Sequence, residues 1–123
     1  MNQVVIGGQA FDYNPFDPGD AVRMAEAERR LRERVDVAEN GVPTLRVDGI
    51  VAFCEAMIEF FDEALGAGAA RRIFGDETDA LRCLDAYLDL VESGRELALR
   101  RGQEVAVRHE KLGIGRVEAK YGA

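Results

Sequence analysis

Residues 60–75 run Phe60-Phe61-Asp62-Glu63-Ala64-Leu65-Gly66-Ala67-Gly68-Ala69-Ala70-Arg71-Arg72-Ile73-Phe74-Gly75. An apolar helix rich in phenylalanine meets a Gly-Ala-Gly break, a short basic piece follows, and an aromatic-glycine stop closes it. Gly66 and Gly75 stand where left-handed helix caps are wanted, which predicts a short helix over Ala67–Phe74. Nothing in the stretch is a nucleophile, a metal cluster or a phosphate loop. Its residues are those that dock helices and fix corners. Adjacent helical positions diverge by about 100°, so Phe60 and Phe61 require either a helix buried on two sides or a partner for Phe60.

Upstream, Ile50, Phe53, Cys54, Met57, Ile58, Phe61 and Leu65 recur at three- and four-residue steps, with Glu55, Glu59, Asp62 and Glu63 mostly opposite. This predicts a central core helix that starts between Thr44 and Asp48 and ends at Leu65. Before it, Asp17-Pro18 is a helix start, the aspartate capping and the proline preorganised for the first turn. The helix is expected to run from Pro18 to Glu39, ending at Asn40-Gly41 with Pro43 beyond. Its apolar stripe (Met24, Ala27, Leu31, Val35, Ala38) is thin. Glu26→Arg30 and Glu28→Arg32 offer intrahelical pairs worth about 0.2–0.5 kcal/mol each. At the N-terminus, Val4-Val5-Ile6, Gly7-Gly8 and Gln9 to Tyr13 predict a hairpin with Phe11 and Tyr13 on one face, Ala10 and Asp12 on the other. Its exposed edge is a candidate assembly surface.

Downstream, a last helix is expected from Asp76–Thr78 to as far as Lys111, with Ala80, Cys83, Leu84, Tyr87, Leu88, Val91 and Ala98 facing the core. Gly94 and Gly102 each weaken it by about 1 kcal/mol relative to alanine. The predicted class is therefore mainly α (α+β): a short N-terminal β-hairpin followed by a bundle of three main helices plus one short helix. One helical domain spans residues 1–112, with the hairpin in 1–16 and a flexible tail in 113–123.

The formal charge is −7, which opposes a nucleic-acid partner, because phosphate binding is driven mainly by Lys and Arg. Charge is uneven: residues 1–94 carry 9 Lys/Arg against 19 Asp/Glu, and residues 95–123 carry 7 against 4. Two cysteines, no basic N-terminal region and no apolar run near the roughly 20 residues of a membrane span predict a cytoplasmic protein without disulfides. Candidate chemistry is sparse. His109 is the lone histidine, Ser93 the lone serine, and Glu55 with Glu59 read as an acidic surface stripe rather than metal ligands. Gly66-Ala67-Gly68 lacks the Lys-Ser/Thr of a P-loop. The expectation is a non-enzymatic protein with no catalytic residues, cofactor or metal.

The Ile6-Gly7-Gly8 hairpin with its aromatics is followed by a charged helix and by a Cys54-bearing helix that runs into Phe-Phe-Asp-x-x-x-Gly-x-Gly. Ile73-Phe74-Gly75 and a further helix with Cys83 come after it. Over roughly residues 4–92 this pattern resembles the tail assembly chaperones encoded in bacteriophage and prophage tail modules. The resemblance implies a protein that binds the tape measure protein, holds that long helical chain soluble and helps recruit tail-tube protein. It carries over no catalytic residue, and the matching positions, Phe60, Phe61, Asp62, Gly66, Gly68, Ile73, Phe74 and Gly75, build the fold. Client helices are expected to dock on the first helix or the aliphatic faces of the last, through Met24, Leu31, Phe60, Leu90, Leu97 and Val105. A homo-oligomer is compatible with this. Two other readings remain open: a structural virion component such as a head–tail connector or tail-completion protein, and an acidic regulator that binds a basic host protein.

Overall fold

The computed structural model describes residues 2–35 and 47–112. Strands β1 (Gln3–Ile6) and β2 (Gln9–Asp12) are followed by helices α1 (Pro18–Arg34), α2 (Val47–Leu65), α3 (Ala69–Phe74) and α4 (Ala80–Lys111). The architecture is the mainly helical one predicted, with an antiparallel N-terminal hairpin.

In the hairpin, Val4 pairs with Phe11 and Ile6 with Gln9. Gly7 and Gly8 supply the two positive φ angles, 55° and 79°, that a two-residue turn of this hand requires. Val4, Ile6, Phe11 and Tyr13 are buried, whereas Val5, Ala10 and Asp12 face outward. A lone ribbon of this size is marginal in water, and the helices supply what it lacks. The Val5 N–H donates to Ser93 Oγ at 2.8 Å and the Gly7 N–H to Asp89 Oδ2 at 3.0 Å, both from α4. On the other edge, Arg72 Nη2 donates to the Ala10 carbonyl at 2.8 Å while its guanidinium lies 4.1 Å above the Phe11 ring. Three backbone groups along the hairpin edges are thus taken up within the chain. Ser93→Ala removes one of these partners and is expected to cost about 1 kcal/mol. Urea unfolding would read this as a lower midpoint with an unchanged slope.

α1 begins as expected, with Asp17 Oδ2 accepting from the Asp20 N–H at 2.9 Å. It ends earlier than expected, because β-branched Val35 is extended (φ −112°, ψ 121°). The expected stop at Asn40-Gly41-Pro43 lies outside the described residues. Met24, Ala27 and Leu31 are buried, and α1 packs against α2. Arg30 pairs with Glu63 and Arg34 with Glu59, while Arg23 Nε donates to the Ala64 carbonyl at 3.1 Å. Arg30 therefore engages α2 rather than Glu26 on its own helix, and the partner order shows the two helices running antiparallel.

On α2 the buried set is Phe53, Ala56, Met57, Phe60, Phe61 and Ala64. Ile58, expected in the core, is at the surface, and Cys54 and Leu65 are half-buried. The core face is wider than the stripe read from the sequence, since Ala56, Phe60 and Ala64 add a second row at four-residue steps. Burial on two sides answers the question posed by Phe60 and Phe61. Their rings meet edge-on at 5.1 Å; Phe60 also reaches Tyr87 at 5.6 Å and Phe61 reaches Phe74 at 5.7 Å. One run of rings thereby joins α4, α2 and α3.

The corner turns on glycine. Gly68 is left-handed (φ 89°, ψ −5°) and α3 starts only at Ala69. The cap that Gly68 cannot provide comes from Asp62, whose Oδ1 accepts from the Ala70 N–H at 2.9 Å. Gly75 adopts φ 70°, ψ −140°, not the left-handed cap expected but a region close to one reserved for glycine.

α4 is capped by Asp79, whose carboxylate accepts from the Arg82 N–H at 2.9 Å, and continues to Lys111 through both glycines. Its buried residues are Cys83, Ala86, Leu90 and Leu97. Of the stripe predicted from the sequence only Cys83 is buried, so the core face is rotated away from Leu84, Leu88, Val91 and Ala98. Arg101, Glu104, Arg108 and Lys111 continue the buried face beyond Leu97. Charge on that face explains why the last turns leave the core. Burial pushes the Cys83 thiol from 9.0 up to about 11, against an opposing contact from Thr78 Oγ1 at 3.7 Å. It is a protonated core residue. No helix among the described residues is long and apolar enough to cross a membrane.

Candidate helix-docking groove

Because α4 turns only one face inward, its neighbouring apolar residues are left beside the last turns of α1 and the first half of α2. Leu84, Tyr87 and Leu88 form one wall of a groove whose others are Leu31 and Val35 from α1 and Phe53 and Met57 from α2. The cavity measures about 400 Å³, and among the described residues Arg32 is the one charged side chain in its lining. Tyr87 is half-buried here, and its phenol is raised above the ordinary value by burial first and by Glu28 second, with Arg32 opposing. Floor residues Phe53 and Met57 belong to the core, whereas Leu88 is 47% exposed. A concave apolar surface rimmed by polar residues is the form that accepts one face of an amphipathic helix.

A second furrow of about 390 Å³ runs between α1 and α2 over Ala27, Leu31, Ala56 and Phe60. The Arg30–Glu63 and Arg34–Glu59 pairs cross it. It follows the seam of α1, where that helix rests on α2.

The side chains expected to contact a client fall on two sides of this division. Met24, Leu31, Phe60, Leu90 and Leu97 are buried, with Phe60 only 2% exposed. Their apolar area is spent on the core; of the five only Leu31 also borders the groove. Val105 is exposed, on the part of α4 beyond the core. The sequence had named Phe53, Met57, Leu84, Tyr87 and Leu88 as core. It gave no sign that those of α4 would stand at the core's margin, because a stripe does not say which of two adjacent faces will be covered. Among the described residues, no group of three or more His, Cys, Asp or Glu is placed to share an ion. Glu55 and Glu59 are both exposed, and Glu59 is held by Arg34.

The model of a family described as a family of unknown function, DUF6673, matches residues 7–112. The chain belongs to the DUF6673 family. The match begins at the hairpin turn and ends where α4 ends, so the DUF6673 unit contains the groove, the glycine corner and the projecting helix. No curated protein and no solved structure matches the chain.

Proposed function

We propose that this DUF6673 protein is a non-enzymatic tail assembly chaperone of the bacteriophage type, acting in the bacterial cytoplasm. In this reading it holds a helical segment of a tape measure protein in the groove between α1, α2 and α4 and assists tail-tube assembly. The observation that carries the proposal is that groove, apolar on three walls and uncovered by any other of the described residues. A tape measure protein is long and helical, and the apolar face of such a helix needs cover until tube subunits surround it. The groove offers that cover through side chains at i, i+3 and i+4 spacing on α4, the spacing by which helices recognise helices. The resemblance carried by Phe60-Phe61-Asp62, Gly66-Ala67-Gly68 and Ile73-Phe74-Gly75 supports the same reading.

Co-expression tests it. A tape measure fragment from the same tail module should be insoluble alone, and soluble and co-purified when this protein is present. A fragment that stays insoluble, or stays soluble without forming a complex, would refute the proposal.

A further inference from the structure

α4 carries a second apolar stripe that starts at the groove wall and runs on past both groove and core. Leu84, Val91, Ala98, Val105 and Leu112 recur at seven-residue intervals. Val91 is 38%, Val105 46% and Leu112 69% exposed. A strict seven-residue repeat keeps one seam facing a partner helix along a slow left-handed supercoil. The residue types read Leu, Val, Ala, Val, Leu, which is the same in both directions about Ala98.

The glycines share this centre. Gly94 and Gly102 lie four residues on either side of Ala98, in the interior of a helix where each costs about 1 kcal/mol. Neither has a positive φ, and a Cβ built at either would meet nothing within 4 Å. Nothing within the described chain calls for a missing side chain at these positions. A second helix approaching closely does.

Charge fixes the direction of approach. Residues 80–94 hold one basic and three acidic side chains, a net of −2, and residues 95–112 hold five basic and three acidic, a net of +2. Parallel pairing would set like halves together, whereas antiparallel pairing sets each half against its opposite.

We infer that two copies of this chain associate through α4 as an antiparallel, two-fold symmetric pair centred on Ala98. Leu84 meets Leu112 of the other copy, Val91 meets Val105, and Ala98 meets itself. Arg95 and Arg101 lie beside Gly102 and Gly94 of the other copy, where no side chain opposes them. A two-fold contact requires this reciprocity, since each residue's partner must find it in return. The seam from Leu84 to Leu112 is about 42 Å long and about 10 Å wide. That is roughly 800 Å² over both chains, within the range of weak, reversible contacts. The pair does not depend on the tail-assembly reading. Leu84 and Leu88 serve both surfaces, so the pair is tested without any client.

Sedimentation equilibrium of the full chain should show a monomer–dimer equilibrium, dimeric by about 100 µM. Val105→Glu should weaken it at least tenfold. Val107→Glu, on the opposite side of the helix, should leave it unchanged. Direction is read by mild oxidation: a Val91→Cys chain mixed with a Val105→Cys chain should form the mixed disulfide, identified by mass spectrometry of the linked peptides. Neither variant alone should form a 91–91 or a 105–105 link. A monomer at that concentration, equal effects of the two glutamates, or links between identical positions would each overturn the inference. Failure of co-expression with a tape measure fragment would leave it standing.

Discussion

Phe61→Ala is expected to destabilise the protein by about 3–5 kcal/mol. Phe61 is fully buried and stands at the middle of the ring sequence Tyr87, Phe60, Phe61, Phe74. Truncation removes edge-on contacts to Phe60 at 5.1 Å and to Phe74 at 5.7 Å. It leaves a cavity between α2 and α3 that cannot collapse easily. Gly66, Gly68 and the Asp62 cap fix the corner joining the two helices, so α3 is not free to slide into the space. Domains of this size have about 5–15 kcal/mol to lose, and the melting temperature should fall by about 10–20 °C. A thermal melt followed by circular dichroism measures it. A loss below about 1 kcal/mol would mean that the ring sequence is not what holds the corner.

Leu88→Glu is expected to have the largest effect on client binding with the smallest effect on the fold. Leu88 is half-exposed on the α4 wall, so a glutamate there can reach water and the core behind it stays intact. The charge would nonetheless project into a groove lined by Leu31, Val35, Phe53, Met57, Leu84 and Tyr87. A helix entering that groove would have to bury the carboxylate without a partner, at a cost of several kcal/mol. That corresponds to a loss of affinity of a hundredfold or more, at about 1.4 kcal/mol per factor of ten. The predicted outcome is a tape measure fragment that pellets beside the variant and stays soluble beside the parent protein. Melting temperatures of the two proteins should agree within a few degrees. Val105→Glu, about 25 Å further along α4, should break the α4 pair and leave client solubility as it is. Val105 thus reports on the pair alone, whereas Leu84 and Leu88 border both surfaces.

Much of this architecture was legible in the residues. Asp17-Pro18 placed the start of α1, Gly7-Gly8 placed the hairpin turn, and the Phe60–Gly75 stretch placed the corner, because caps and glycines act through local backbone chemistry. What remained hidden depends on neighbours. Two apolar rows lie side by side on α4, and periodicity alone cannot say which is covered. The hairpin decides it, since Ser93 and Asp89 reach the Val5 and Gly7 N–H groups only if the Cys83–Leu90–Leu97 face turns inward. The contact residues expected from the sequence were drawn from both faces, and five of the six belong to the core. The groove emerges where the second row meets the ends of α1 and α2. No single segment encodes it.

Arginine at this surface shows the same lesson from the polar side. Glu26→Arg30 fits a helical pair by spacing, but Arg30 crosses to Glu63 on α2, at the edge of the furrow over Ala27 and Ala56. Arg72 spans two functions, stacking on Phe11 and satisfying the Ala10 carbonyl. Neither use can be inferred from sequence distance.

Hydrogen exchange on the complex with a tape measure fragment tests the central claim most directly. The account predicts added protection in three separate segments at once, around Leu31–Val35, Phe53–Met57 and Leu84–Leu88, with little change in the hairpin or α3. Protection confined to the hairpin edges, or spread evenly without a maximum at those three segments, would contradict it.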